Sequence, residues 1–462
     1  MSSLRSALAL FLILMAAYAA TIGLDATPGK RLSMPEAHQL LTAESIVSDH
    51  DFDLRNQYLD RDWEKFNSQP LKPTAGLTKG RLHEPQGLGF PLLIAPAYAL
   101  GGVTGVELFL AAFMALAFTL AAILGRRLVP DPWAWRAALI FGLSAPALGA
   151  ATAVAPEGVG AALLAAGALM ALHVRDEPLP RWSVSCALLI ASTPWLSAKL
   201  LAPTIVIGLA LARWLRNRGR AVSGFVALEI ILKSAIVYVT VNDGLFGGFL
   251  PLEAALPGNG GPTGADGVLA HAGRADRLIG LWFDRDAGMF LWAPLIALAF
   301  AGVWALWRSR RDRLAFLVSD RIHVEVAGTF YLLIAATIVV VAAFLGPNLR
   351  GPWFPGHELV PALPFGAALA AWGLRRFPKT GAALAGATLI ASAWLLIAAR
   401  LDGAAALQPP RGDLPWGGLQ DLFLPTFAGG GAGKVILIVV VVVAVIAGLI
   451  YEWLGWRSRD SA

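Results

Sequence analysis

Residues 103–125, VTGVELFLAAFMALAFTLAAILG, form a long run of mostly apolar residues. A helix that crosses a bilayer needs about 20 such residues, so this run predicts a membrane span. Eleven further segments have the same character. The twelve predicted spans are 5–24, 103–125, 133–151, 156–174, 183–196, 199–215, 222–241, 288–307, 324–345, 357–374, 381–399 and 434–455. The shorter stretch 87–102 holds two prolines and ends in Gly-Gly, and we interpret it as a re-entrant or surface-lying helix.

The composition excludes several other classes of protein. The 462 residues are 57% hydrophobic and 15% charged, whereas soluble domains average about 25% charged residues. This excludes a simple soluble enzyme, a disordered protein and a disulfide scaffold. The chain has one cysteine, Cys186, so no internal disulfide can form. The net charge of +6 does not indicate nucleic-acid binding, because no basic patch interleaved with aromatic residues is present.

The distribution of Lys and Arg predicts the orientation of the chain. If the N-terminus is cytoplasmic, the inside segments hold 19 basic residues and the shorter outside loops hold 8. Positive charge favours the cytoplasmic side, and long loops such as 25–102 are not counted. Both termini are therefore predicted to be cytoplasmic, in the inner (plasma) membrane of the cell. Alternatively, the first span is a signal peptide cleaved after Ala17-Tyr18-Ala19.

The polar residues are concentrated in three outer segments, 25–102, 242–287 and 400–433. The inner loops are short and basic and contain no phosphate-binding glycine motif. A functional site is thus expected to face outward. Residues 33–47 alternate with helical period between apolar and polar positions, which predicts an amphipathic helix along the outer membrane surface.

Several of these outer motifs resemble one family of enzymes. The chain has PEAHQLLTAESIVSDHDFDLRNQY from Pro35 and LHEPQGLGFPLLIAPAYALGG from Leu82, followed by PEG at 156–158, PWLSAKLLAP at 194–203, GLWFDRDAGMFLWAP at 280–294 and PGHELVPALP at 355–364. In this order they resemble motifs of the GT-C type membrane glycosyltransferases. That group is similar to protein O-mannosyltransferases and to the aminoarabinose transferases that modify lipid A.

The resemblance implies a fold, a reaction and partners. The expected fold is an all-α polytopic membrane protein with about twelve transmembrane helices, whose long first outer loop carries membrane-parallel helices in a GT-C-like arrangement. A catalytic region would occupy 1–400, and 401–462 would add an outer loop and the last span. The expected reaction moves a sugar from a polyprenyl-phosphate-linked donor to an outer-side glycan, lipid or protein. No cofactor is expected, and Asp49, Asp51 and Asp53 are the only candidates for a divalent cation site.

An inverting transfer needs a base that takes the proton of the acceptor hydroxyl, and a carboxylate can serve. Glu36 is the first candidate and Glu84 the second. Pro35 stands where the family has its first acidic residue, so Glu36 alone represents the acidic pair. Ser33-Met34-Pro35-Glu36 also fits a helix capping box, a structural role for the same carboxylate.

Seven other residues are candidates for binding the substrates. The departing phosphate needs cationic or hydrogen-bonding groups near its oxygens. The candidates are His38, His83, Glu157, Lys199, Asp284, Arg350 and His357. Each also has a structural alternative, such as snorkelling to the membrane interface for Lys199 and helix capping for Asp284. His357 stands at the family's basic position and is followed by Glu358. His83 and Glu84 are candidates to face Glu36 across the loop, and an ordinary solvated pair of loop residues is the alternative.

Glu229 and Lys233 lie in the middle of a predicted span, four residues apart. This spacing predicts a structural ion pair inside the helix bundle, and a proton or ion path is the alternative. Two other functions remain open. A transporter or lipid-linked oligosaccharide flippase would show related halves and polar residues at the membrane centre. A non-catalytic relative that acts as a partner subunit is suggested by Pro35.

Overall fold

The computed structural model is almost entirely helical, which confirms the predicted all-α polytopic membrane class. It describes residues 3–26, 29–217, 219–256, 273–309, 319–346, 349, 353–401, 418, 422–427 and 431–460. The α-helices of the described residues are α1 Ser3–Ala19, α2 Met34–Ser48, α3 Arg55–Leu59, α4 Gly89–Arg126, α5 Trp133–Gly142, α6 Ala145–Ala151, α7 Pro156–Asp176, α8 Pro180–Leu196, α9 Leu201–Asn217, α10 Ala221–Phe246, α11 Arg277–Phe283, α12 Met289–Trp292, α13 Ala297–Ser309, α14 Ser319–Leu345, α15 Leu363–Arg376, α16 Pro378–Leu401 and α17 Ala432–Asp460. A small antiparallel pair, β1 Leu77–Thr78 and β2 Arg81–Leu82, lies in the first outer loop.

All twelve predicted spans are helical, but the count of twelve crossing helices is not confirmed. Among the described residues, seven helices are long and apolar enough to cross a membrane, or eight if α5 and α6, bent by 60° to each other, form one span. Several predicted spans are not counted as crossing helices because proline interrupts them or because they are too short. The segment 357–374 begins as a 3-10 helix, His357–Ala362, and continues as α15 with only 14 residues. Pro361 and Pro364 each lack a backbone N–H, which prevents one continuous helix here.

The stretch 87–102 forms a helical segment of its own, as the sequence predicts. It is the first part of α4, which is interrupted at Gly101 and Gly102. Gly102 has φ +57° and ψ −146°, a conformation that is essentially restricted to glycine. The Gly-Gly pair therefore separates this segment from the span that follows it.

Close helix contacts form the core around α4, α7 and α15. A side chain at Gly373 in α15 would overlap the carbonyl oxygen of Leu298 in α13, so glycine allows these two helices to cross at short distance. The Tyr18 hydroxyl of α1 donates to the carbonyl oxygen of Gly142 at 2.8 Å and fastens α1 to the end of α5. These contacts fix α15 against α13 and α1 against α5.

Helix α2 differs from its prediction, because both of its faces are buried. Leu40 and Ala43 pack into the main core, while Ala37 and Leu41 pack against residues of the first outer loop. The loop residues in that second cluster are Leu54, Trp63, Leu71, Ala75 and Leu82. The polar side of α2 therefore contacts protein instead of water, and the helix is an internal element below a folded loop.

Helix α10 differs in a second respect. Glu229 and Lys233 form the expected ion pair at 2.6 Å, but their side chains are 58% and 73% exposed. The predicted location inside the bundle is wrong, since only the opposite side of α10 packs against α8. The apolar part of helix α17 is likewise exposed on the outside of the helix bundle. Lys434 at its start pairs with Asp276.

Candidate active site

The N-terminus of α2 places Glu36 at the junction with α7. Its Oε2 accepts a hydrogen bond from the Ser33 backbone N–H at 2.7 Å, which confirms the capping alternative. Its Oε1 accepts from the Val154 backbone N–H at 2.9 Å. Burial raises the pKa of the Glu36 carboxyl above its ordinary value, although these N–H donors and the nearby His357 oppose the rise. The catalytic role of Glu36 stays a prediction.

Glu157 enters the same region from the first turn of α7. Pro156 begins this helix, and the Val154 N–H bonded to Glu36 lies just before it. A carboxylate in the first turn is stabilised by the positive end of the helix. Glu157 Oε2 lies 3.0 Å from His357 Nε2, and both side chains are buried. Residues 200 positions apart thus form an acid–base pair.

His357 is held between Glu157 and an aromatic ring. The Trp353 ring stacks on its imidazole almost in parallel, with a centroid distance of 4.5 Å and an angle of 7°. Gly356 precedes it with φ +81° and allows the sharp turn into the 3-10 helix. His357 Nδ1 has no hydrogen-bond partner among the described residues. This nitrogen is itself buried, so it is a buried polar atom without a partner among these residues.

Lys199 completes the arrangement from the short 3-10 helix Ala198–Leu200, which Ser197 caps. Its Nζ contacts Glu358 Oε1 at 2.5 Å, and its side chain is 34% exposed. Glu157, Lys199 and Glu358 line a cleft of about 10 Å³, which is enough for one water molecule. We call Glu36, Glu157, Lys199, His357 and Glu358 the polar cluster.

One end of an apolar groove is close to the polar cluster along the chain. It has a volume of about 450 Å³ and is lined by the facing sides of α8, α9 and α10. Ala198, the neighbour of Lys199, lines its outer end, and Leu215 lines its inner end. The α9 residues from Leu201 to Leu215 span about 21 Å at 1.5 Å per residue. The groove therefore extends along most of α9, and Lys199, which follows Ala198 in the chain, lines the separate small cleft.

The structure places His38 and Glu84 in a separate group. His38 Nδ1 lies 2.9 Å from the Tyr58 hydroxyl, which donates to Glu84 Oε1 at 2.5 Å. Glu84 also accepts from the backbone N–H and the hydroxyl of Thr74. Burial lowers the pKa of His38, partly offset by the Glu84 charge, and burial together with that charge raises the pKa of Tyr58. We call His38, Tyr58, Thr74 and Glu84 the loop cluster.

The expected approach of His83 and Glu84 to Glu36 is therefore not found. Glu36 accepts hydrogen bonds from the backbone N–H groups of Ser33 and Val154, whereas His83 Nδ1 lies 2.7 Å from the carbonyl oxygen of Phe52. His38 and Glu36 lie on one helix only two residues apart, a spacing that turns their side chains to different sides. Helix α2 thus separates the two clusters.

Asp284 does not join the polar cluster. Asp284 accepts hydrogen bonds from the backbone N–H groups of Asp286, Ala287 and Phe427 and so stabilises a turn. Arg350 lies outside the described residues.

The predicted cation candidates have structural partners. Asp51 accepts bonds from Ser45 and from the Asp53 backbone N–H, and Asp53 pairs with Arg55 at 2.7 Å. Across the part of the chain that the structure describes, no group of three or more His, Cys, Asp or Glu residues is arranged to hold a metal ion.

Sequence reasoning missed Glu358 and Trp353. Glu358 was visible beside His357, but its pairing with Lys199 joins positions 159 residues apart. No local pattern reveals such a contact, because it arises only from the packing of distant helices. The groove is equally hidden, since its lining residues are ordinary apolar residues of three spans.

Solved structures similar to this chain include two crystal structures of ArnT from Cupriavidus metallidurans, one bound to undecaprenyl phosphate and one in the apo state. Both are 16% identical to this chain and cover 84% of it, with TM-scores of 0.47 and 0.49. The chain covers 64% of the length of ArnT. No protein-family model matches the chain, and no curated protein matches it.

Proposed function

We propose that the protein is a membrane glycosyltransferase that takes a sugar from a polyprenyl-phosphate-linked donor. The observation that carries this proposal is that the lining of the apolar groove reaches Ala198, the residue before Lys199 of the polar cluster. A lipid phosphate has a long apolar chain and one anionic end. The groove matches the chain, and the ammonium of Lys199, whose side chain is 34% exposed, matches the phosphate. Largely apolar pockets of 300–1,000 Å³ with a few placed polar groups are typical ligand sites.

Lys199 would bind the donor phosphate and stabilise it as it leaves. An ammonium donating to a phosphate oxygen forms a charge-assisted hydrogen bond, roughly twice as strong as a neutral one. The same contact opposes the charge that develops on the phosphate when the sugar–oxygen bond breaks. Glu358 competes for the same ammonium in the structure.

A carboxylate of the polar cluster would act as the base. It takes the proton of the acceptor hydroxyl, whose oxygen attacks the sugar carbon while the bond to the phosphate oxygen breaks. The electron pair of that bond leaves with the phosphate, so the products are a glycosylated acceptor and the polyprenyl phosphate. We assign this role to Glu157, because it lines the cleft together with Lys199. Glu36, the first candidate from the sequence, has a backbone donor on each oxygen and would position Glu157 through Val154.

The acceptor would be an outer-side glycan, lipid or protein. A second apolar cavity of about 310 Å³ lies against the 3-10 helix His357–Ala362. Leu359 of that helix and Leu363 at the start of α15 belong to its lining. This placement favours an acceptor that is itself a lipid. The chain would reside in the inner membrane with both termini cytoplasmic, as the distribution of basic residues predicts.

The test uses the full chain purified in nanodiscs. The donors are polyprenyl-phosphate hexoses and pentoses labelled in the sugar, and an extract of cell-envelope lipids and glycans supplies the acceptor. We expect label in a product that is no longer linked to polyprenyl phosphate, and we expect Glu157→Gln to abolish it. Absence of transfer with every donor would contradict the proposal.

A non-catalytic relative is the second candidate. One argument for it is Pro35, which stands at the family's first acidic position. The other is that Lys199 is already paired with Glu358 and Glu157 with His357, so both groups assigned to catalysis are bonded within the protein. Such a protein would bind undecaprenyl phosphate without transferring any sugar. Uptake of labelled lipid-linked sugar into sealed vesicles would instead indicate a transporter or flippase.

A further inference from the structure

An exposed line of residues runs along α10 on the side that faces away from the bundle. Its members are Val222, Val226, Glu229, Lys233, Ile236, Thr240 and Asp243, all of them exposed. Steps of four and three alternate between them, which is the spacing of residues that face a partner helix. We call this line the α10 seam.

Two charges interrupt the seam near its middle. Lys233 is the thirteenth of the 26 residues of α10, and Glu229 lies one turn before it. Ionisable residues at such depth in a membrane are costly and almost always face protein or a water-filled cavity. The pair is nevertheless exposed on this chain, and both residues pair only with each other among the contacts of the described residues. A surface with this pattern is suited to cover by another helix.

We propose that the α10 seam is the contact between two copies of this chain. Copies inserted with the same orientation are related by a two-fold axis along the membrane normal, so their seams run parallel. Because each seam carries one acidic and one basic residue a turn apart, Glu229 of each copy can meet Lys233 of the other. The surface is therefore complementary to itself, as an isologous contact requires.

The seam is independent of the proposed sugar-transfer site. The groove is lined from α10 by Gly224, Ala227, Leu228, Ile231, Ser234, Ala235, Tyr238 and Val239. None of these residues belongs to the seam. A change in the seam can therefore be followed through association of the chains, without any assay of transfer.

Cysteine cross-linking gives the first test. In full-length protein in native membranes, Ile236→Cys places a thiol on the seam, and Ile390→Cys places one on the equally exposed face of α16. The exposed fractions of the two side chains are 65% and 62%. Cys186 of the native chain is buried and serves as the background. We expect an oxidant to link Ile236→Cys into dimers and to leave the other two monomeric. Equal cross-linking at both positions would overturn the proposal.

Charge reversal gives the second test. Glu229→Lys leaves two lysines on each seam, and Lys233→Glu leaves two carboxylates. Each variant, expressed with two different tags, should co-purify with itself at least tenfold less than the native chain does. Co-expression of the two variants should restore co-purification, since the mixed pair is oppositely charged. Failure of the mixture to recover while each variant is stable in the membrane would overturn the proposal. If the variants do not accumulate, the cross-linking result decides.

Discussion

The polar cluster and the loop cluster contain the same kinds of residue but lie in different surroundings. Each contains a buried histidine beside a glutamate, with His357 and Glu157 in one and His38 and Glu84 in the other. In the loop cluster, Tyr58 and Thr74 satisfy the carboxylate from the protein itself. The polar cluster adds a lysine that is 34% exposed and lines a small cleft, and the residue before this lysine lines the apolar groove. A buried acid–base pair thus indicates a reaction site only where a ligand can reach it.

The largest expected effect separates the two glutamates. Glu157→Gln keeps the size of the side chain but removes the base, so kcat for transfer should fall about 10²–10⁴-fold. Glu84→Gln should leave kcat within about threefold and lower thermal stability, because the amide cannot accept every bond that the carboxylate accepts. The assay is sugar transfer by purified protein, with a melting curve for each variant.

Glu36→Gln sharpens the same comparison. If Glu36 is the base, this variant loses transfer and Glu157→Gln retains it. If Glu36 positions Glu157, Glu36→Gln lowers stability and reduces transfer less than Glu157→Gln does. Full activity of Glu157→Gln would remove Glu157 from the mechanism.

The second largest effect concerns Lys199, the proposed partner of the donor phosphate. Lys199→Gln removes a charge-assisted bond to the phosphate, which is worth about 1.5–3 kcal/mol, so undecaprenyl phosphate should bind about 10–150-fold more weakly. Lys199→Arg keeps the charge and should bind within a few fold of the native chain. The measurement is a binding titration in nanodiscs. Lys65→Gln, on the exposed surface of the first outer loop, is the matched control and should not change the affinity.

A smaller effect of opposite sign is expected at Glu358. This carboxylate holds the Lys199 ammonium at 2.5 Å before any phosphate is bound. Glu358→Gln frees the ammonium and removes a negative charge that repels the phosphate, so undecaprenyl phosphate should bind about 3–10-fold more tightly. The same titration measures it. Weaker binding would mean that Glu358 orients Lys199 for the ligand instead of competing with the ligand.

The sequence predicts the helices well because each span carries its own signal. Residues 103–125 need no partner to be recognised as apolar and long enough. The capping role of Glu36 is equally local, since Ser33 and Glu36 lie within one turn. Proline and glycine within the chain, such as Pro361 and Gly102, also mark the breaks where they occur.

The remaining features depend on packing between distant residues. The sequence groups Glu36 with Glu84 because one loop carries both, yet α2 places them in different clusters. Glu157, Lys199 and His357 were separate candidates, and only the crossing of their helices joins them. The burial of α2 and the exposure of Glu229 could not be predicted either. Both follow from which neighbour covers a face, and periodicity does not identify the neighbour.

The smallest expected effect concerns the pH dependence of the loop cluster. Burial lowers the pKa of His38 below its ordinary value of 6.5. The unfolded chain therefore binds a proton here more readily than the folded chain, and stability should fall as the pH decreases through that ordinary value towards the lower folded one. His38→Gln removes this contribution, so its melting temperature should vary less between pH 7.5 and 5.5 than that of the native chain. His50→Gln, which replaces an exposed histidine of the same loop, is the control. Its melting temperature should depend on pH as that of the native chain does. An unchanged slope for His38→Gln would mean that the pKa of His38 is the same in the folded and the unfolded chain, which would contradict its lowering by burial.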